Sequence, residues 1–329
     1  MAPRVRQGGL SLIELMVAMT LGLLLLTGFL ALHYSTRTSF AGLEENTQLQ
    51  QNARFALTEL ARDIRMAGSF GCAGTAPVNN QSSSTSPFYR YDTTTNGVTV
   101  YTGIASLGAV FSAADSVASG SPILKVQYGR GGSIVTGGNA SPTITQLTVQ
   151  LPNAQTFDAA APVLVLASCG RVDVVAQPLA STGSGTYTLS NLPALPNNLL
   201  TSSASGTHDS SLEVLQLVTR YYYVKNSSGS RGLFAKSLAD DGTVADIPVA
   251  EDVNAMTVEL GAINQPANVS PTVQYAANCG GALGCNQIGL VRVGLTLQSS
   301  SVQATGSTGF LTQRYNTTIA LRNHGVQPQ

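Results

Sequence analysis

The side chains most able to do covalent or metal chemistry are scattered along this 329-residue chain. Its three histidines stand at positions 33, 208 and 324. His208 precedes Asp209 in the serine-rich run "SGTHDSS", which supplies the residue types of a Ser-His-Asp system. That chemistry depends on geometry in space rather than on neighbours in sequence, and a solvated polar loop accounts for the same composition. Asp240 and Asp241 in "LADDGTV" lack the alternating oxygen ligands and closing glutamate of a calcium loop, and read as a β turn. "GRGGS", Gly129 to Ser133, lacks the lysine and helix start of a phosphate loop. With no compact set of acids, bases or metal ligands, the expectation is a noncatalytic protein with no cofactor, no metal and no small-molecule substrate.

Four cysteines, Cys72, Cys169, Cys279 and Cys285, form an even set that allows three complete pairings. The most local pairing closes the loop "CGGALGC", and disulfides are expected if this part of the chain leaves the cytoplasm. Buried free thiols are the alternative. A zinc half-site at the close pair is a second, but it finds no further ligands nearby. The run "TRYYYVKN" places Tyr221 to Tyr223 between Arg220 and Lys225, a set able to stack on bases or sugars. Strand alternation would turn Tyr222 away from its two neighbours, which predicts a mixture of core and interface tyrosines.

Acidic and basic residues balance at 17 each, and only 10% of residues are charged. No overall basic field recruits nucleic acid, so direct DNA binding is not indicated. The elements that carry the functional residues are clearer. Leu15 to Leu32, "LMVAMTLGLLLLTGFLAL", contain no ionisable side chain and span roughly 27 Å as a helix, close to a bilayer core of about 30 Å. Arg4 and Arg6 precede this run and place the short tail on the cytoplasmic side. The run exceeds the usual length of a signal-peptide core and lacks an Ala-x-Ala exit.

Helical periodicity continues beyond it. Leu49, Ala53, Ala56, Leu57, Leu60, Ile64 and Ala67 form an apolar stripe opposite Gln50, Arg54, Glu59, Arg62 and Asp63, with Gly68 as the stop. Glu59 and Arg62 have the spacing of a supporting surface pair. One long helix is expected, with interruptions open near Gly22, Gly28 or Gly42. After Gly68, runs such as "PILKVQYG", "APVLVLASC", "LEVLQLVTRYYYV" and "QIGLVRVGLTLQS" read as strands. Segments 74 to 96, 129 to 143, 197 to 211, 264 to 285 and 299 to 309 read as loops. The fold class expected is α+β, a long N-terminal membrane-spanning helix followed by a β-rich globular head.

Glu14 stands at the front of the apolar run, where a carboxylate is expensive. Cleavage after Gly9 would create an amine on Leu10, and a neighbour's amine is a natural partner for that acid. The stretch Gly9, Leu10, Ser11, Leu12, Ile13, Glu14, Leu15 resembles the class III prepilin signal of type IV pilins and type II secretion pseudopilins. "QQNARFALTELARDIRMAGSFGC", "VLVLASCGRVDV" and "YNTTIALRN" resemble segments of the PilW family of minor pilins.

The resemblance implies a type IV pilin-like fold divided into a leader at 1–9, a helix at 10–67 with its transmembrane part at about 12–35, and an extracytoplasmic head at 68–329. It implies that a prepilin peptidase cuts after Gly9 and methylates Leu10, and that Glu14 guides filament assembly. The implied partners are other minor pilins, the major pilin, a tip adhesin and the inner membrane. The head would be periplasmic and later displayed on a surface pilus serving twitching motility and adhesion. A type II secretion minor pseudopilin is the nearest alternative; a membrane-anchored adhesive or carbohydrate-binding module and an anchored hydrolase are the others.

Overall fold

The computed structural model describes residues 11–73, 76–81, 84, 86–138, 143–150, 163–177, 180–183, 186–196, 212–227, 230–239, 242–264, 272–279, 283–299 and 310–322. Gly9, Leu10, His208, Asp209, Asp240 and Asp241 lie outside the described residues. The chain divides into two compact units, residues 1–50 with 299–312, and residues 51–298 with 313–329.

The first unit is built on the N-terminal part of helix α1 (Leu12–Met66), which runs without a break past Gly22, Gly28 and Gly42. Its polar residues do not disturb it, because Thr20, Thr27 and Thr36 donate their hydroxyls to the carbonyls of Val17, Leu24 and Leu32 on the preceding turn. The helix has 55 residues where a membrane crossing needs about 20. Its apolar window has a mean hydropathy of 2.4 and none of it is buried. Within this unit Ser299 and Leu311 exchange hydrogen bonds at 2.8 and 2.9 Å.

The second unit holds the last turns of α1 and fifteen strands among the described residues. In chain order these are β1 (Val78–Asn80), β2 (Val98–Tyr101), β3 (Ile123–Gly138), β4 (Thr143–Gln150), β5 (Leu164–Ser168), β6 (Arg171–Val175), β7 (Ala180–Gly183) and β8 (Thr186–Pro196). They continue with β9 (Glu213–Ser227), β10 (Ser230–Leu238), β11 (Val244–Glu251), β12 (Val253–Asn264), β13 (Thr272–Ala276), β14 (Ile288–Gln298) and β15 (Thr312–Ala320). Eleven form one sheet ordered β1-β6-β5-β9-β3-β4-β8-β7, with β10 and β11 continuing from β9 and β2 attached to β3; the other four form a sheet ordered β13-β12-β14-β15.

Two long antiparallel strands make the spine of the larger sheet. One edge of β9 serves β5 at its start and β10 at its end, while its other edge pairs with β3. The expected loop at 129 to 143 is largely strand, since β3 runs to Gly138 and β4 starts at Thr143. The glycines do not break the strand: the register against β9 shifts between Arg130 and Ser133, so they are absorbed in a bulge with Gly131 at φ 79°. Strands β1 and β13 likewise lie inside expected loops.

The stripe on α1 is buried at Ala53, Ala56, Leu60, Ile64 and Ala67. The helix ends where Gly68 takes φ 69°, and a Cβ there would sit 2.8 Å from the Asn96 carbonyl oxygen. Gly68 N donates to Gln127 O at 2.9 Å, so the chain leaves the helix directly onto β3. Just beyond, Cys72 is bonded to Cys169 in the turn between β5 and β6, and Cys279 is bonded to Cys285.

The two bonds close chain segments of very different length, 97 and 6 residues. On loop-closure entropy the first is worth about 4.7 kcal/mol and the second about 2 kcal/mol. Thermal melts of the full chain in detergent are therefore expected to fall further for C72S/C169S than for C279S/C285S. The opposite ranking would show that the local loop carries the greater load.

Candidate functional site

At the front of α1, Leu15 N donates to Ser11 O at 3.2 Å, which makes Ser11 the residue that opens the helix. Glu14 lies in the first turn and is exposed. Three residues after Ser11, it has the spacing of a capping box, and a carboxylate there is favoured by the helix dipole by about 0.3–1 kcal/mol. Local physics thus lowers the penalty of an acid at this edge without neutralising it. The side chains behind it, from Leu15 through Leu32, are exposed, and His33 stacks on Phe29 within the same helix, with ring centroids 6.2 Å apart. This end of the helix presents a carboxylate at the head of an exposed apolar rod, an arrangement suited to a lipid environment.

At the other end of the helix the expected exposed face needs correction. Asp63 is buried, 1% exposed, because three donors meet it. Tyr128 Oη donates to Oδ1 at 2.9 Å, Tyr222 Oη to Oδ2 at 2.6 Å, and Arg220 Nη1 to Oδ2 at 2.8 Å. Burial and the Asp63 charge push both tyrosine hydroxyls up, so they stay protonated as donors. Burial works against the Arg220 guanidinium, but Asp63 together with Tyr128 and Tyr222 holds the group above its ordinary value. The helical pattern could not reveal this site, since the arginine lies 157 residues from the acid. The expected Glu59–Arg62 pair forms no ion pair within 4.0 Å; among the described residues this last stretch of helix is ion-paired through the buried Asp63 to the half-buried Arg220.

The tyrosine run alternates as expected, but all three members are interior. Tyr222 faces the helix and Asp63, whereas Tyr221 and Tyr223 pack on the opposite side with Phe88, Phe111 and Ile123. No ring of the three is left to stack on a sugar, which removes the tyrosine run as a motive for a carbohydrate-binding module. On that opposite side Lys125 is buried and lies 4.0 Å from Asp92. Burial pushes its ammonium down to about 8, and Asp92 offsets this only in part. Lys236 bridges Asp115 at 2.6 Å and Asp246 at 2.9 Å, pinning β10 and β11 to the segment before β3. Among the described residues no group of three His, Cys, Asp or Glu side chains is placed to hold a metal ion.

Residues 4–30 match the family model of the prokaryotic N-terminal methylation motif. No curated protein matches the chain, and no solved structure does. The motif lies at the head of a helix long and apolar enough to cross a membrane, followed by a β-rich head, and this is a pilin-like arrangement.

Replacing Asp63 with Asn leaves Arg220 without its counter-charge and is expected to destabilise the fold by about 3–5 kcal/mol, read as a lower urea midpoint. Lys125 gives a pH signature. Between about 8 and 10.5 the unfolded chain keeps a proton that the folded chain has released, so stability rises with pH, by about 2 kcal/mol from pH 7 to 10. Above about 10 the buried tyrosines, held protonated by the fold, reverse the trend. Lys125→Met should flatten the rise and keep the alkaline fall; an unchanged profile would assign the rise elsewhere.

Proposed function

We propose that this chain is a noncatalytic minor pilin of the PilW type, which helps prime type IV pilus assembly with other minor pilins near the filament tip. The observation that carries the reading is the methylation motif at 4–30 in front of an apolar helix that buries none of its membrane-length window within its own chain. A helix of that kind is satisfied by lipid and then by the helices of other subunits. In this reading residues 1–9 are a cytoplasmic leader and prepilin peptidase cleaves after Gly9. The Leu10 amine is methylated, and Glu14 pairs with the N-terminal amine of an adjacent subunit. The head, from 68 onward, is periplasmic until the subunit joins the major pilin in a surface filament, where it supports a tip adhesin, attachment and twitching motility. The disulfide between Cys72 and Cys169 suits an oxidising compartment and supports this location.

Mass spectrometry of the chain from its native cell is expected to show loss of nine residues and a methylated Leu10. An intact Met1 end in a cell with active peptidase would count heavily against the proposal. Glu14→Gln separates the two uses of the acid, because glutamine keeps the capping capacity and loses the charge. The variant should insert and be cleaved normally but be depleted at least severalfold from sheared filaments. Normal incorporation would reject the pairing role, and recovery only with secretion components would assign the chain to the pseudopilins.

A further inference from the structure

Lys236, on β10, is enclosed between two carboxylates, with its side chain only 8% exposed. Asp246 is its register partner on β11, so the sheet itself places that acid, whose Oδ1 is buried and 2.9 Å from Nζ. Asp115 arrives from 121 residues away, on the connection between β2 and β3, and its Oδ1 lies 2.6 Å from the same nitrogen. The chain there is shaped around this carboxylate. It makes a single 3-10 turn, Ala113–Asp115, in which Ser112 donates its backbone N–H and its hydroxyl to Asp115 Oδ2 at 2.6 and 3.2 Å. Ser116 follows at φ 50°, a left-handed conformation that a side chain makes costly. Phe111 closes the group from one side, its ring centre 5.4 Å from Nζ, and packs edge to face on Tyr223.

Taking both charges of such a pair out of water is costly, and converting them into a neutral amide removes that cost. Amide formation needs an amine, a carboxyl carbon held against it, donors for the oxygen on which charge develops, and a base to carry a proton. Lys236, Asp115, Ser112 and Asp246 supply these in turn. Burial opposes both charges of the resting pair, yet the contacts hold the Asp115 carboxyl below and the Lys236 ammonium above their ordinary values. The neutral, reactive pair is therefore scarce and the reaction slow. One turnover suffices, because the product carries no charge to bury.

We propose that Lys236 and Asp115 join covalently, Nζ forming an amide with the Asp115 carboxyl carbon as one water leaves. A proton passes from the ammonium to Asp115 Oδ1 across the 2.6 Å contact, which leaves a neutral amine and a neutral acid. The amine lone pair attacks the carboxyl carbon, and charge develops on Oδ2, where the two Ser112 donors meet it. Asp246 takes a proton from the nitrogen and returns it to the Oδ1 hydroxyl, the C–Oδ1 bond breaks, and water departs. Asp246 ends as it began, and one positive and one negative charge have cancelled. The amide clasps the connection before β3 to β10, and it stands apart from the proposed function, since the geometry is the same in any assembly.

The full-length chain, extracted in detergent and reduced at its disulfides, is weighed intact and then digested with trypsin. Its mass should fall one water short of that calculated for its measured N-terminus. The digest should hold a branched peptide joining the segments that contain Asp115 and Lys236, with no cleavage after Lys236. Full mass together with cleavage after Lys236 overturns the proposal, and a branch whose fragments place the bond on Asp246 overturns the choice of Asp115. Lys236→Arg keeps the positive charge but cannot condense, and should restore the missing water. A deficit that persists in this variant comes from dehydration elsewhere, such as a succinimide, and overturns the proposal. Asp246→Asn keeps the size of the side chain and removes the base, so the linked fraction at a fixed time after synthesis should fall at least severalfold. An unchanged fraction overturns its role as proton carrier. The wild-type peptide map tests the bond without requiring either variant to fold.

Discussion

A buried carboxylate on the last turns of a helix, Asp63, ties that helix to the two strands on which the larger sheet is built. Its three donors come from β3 and β9, and their register explains why all three reach it: Tyr128 lies opposite Val218, with Arg220 and Tyr222 at the next alternate positions of β9. A slip of one residue would turn Arg220 and Tyr222 to the other face and leave an acid buried without partners. The interaction therefore does more than hold a helix down. It selects the strand pairing that sends Tyr221 and Tyr223 into the aromatic cluster on the far side, against Phe88 and Phe111. The helix exit depends on the same place, through the turn at Gly68 onto Gln127 and the disulfide that follows.

The same helix obeys opposite rules at its two ends. Around Leu60 and Ile64 the apolar side chains are buried and the stripe has a partner in its own chain. From Leu12 to Leu32 the apolar side chains are exposed, and the polar ones satisfy themselves on the helix backbone, as lipid requires. Glu14 breaks that pattern at the position where a helix dipole tolerates an anion best. The acid therefore stands at the one place on this apolar helix where backbone electrostatics lower its cost. Towards its other end Arg62 and Arg65 are exposed on the helix and line one cleft with Arg130 and Arg322.

Much of the architecture was readable from residue order because it follows from short-range periodicity. The apolar run, the three-and-four spacing after it, the stop at Gly68 and most of the longer strands are local patterns. The errors have local causes too. Asp63 reads as solvent-facing because a charged residue in a helix is usually exposed, and its partners lie 65 to 159 residues away. The stretch after Gly129 reads as a loop because glycines punctuate it, whereas pairing with β9 on one side and β4 on the other holds it as a strand. The strand β11 has no apolar alternation to mark it, because it carries Pro248 and exposed side chains on an edge that pairs only with β10 among the described residues.

Sequence alone determined that this protein has a membrane-length helix with an acid at its front, a processing signal before it and a β-rich remainder, because each of these is written in neighbouring residues. Only the tertiary structure decided which cysteines join, that the three tyrosines are core, that Asp63 is a buried anchor, and that arginines from three distant segments share one cleft. Those outcomes depend on which strands pair and in what register, and register is decided by the whole sheet and the helix packed on it rather than by any segment alone.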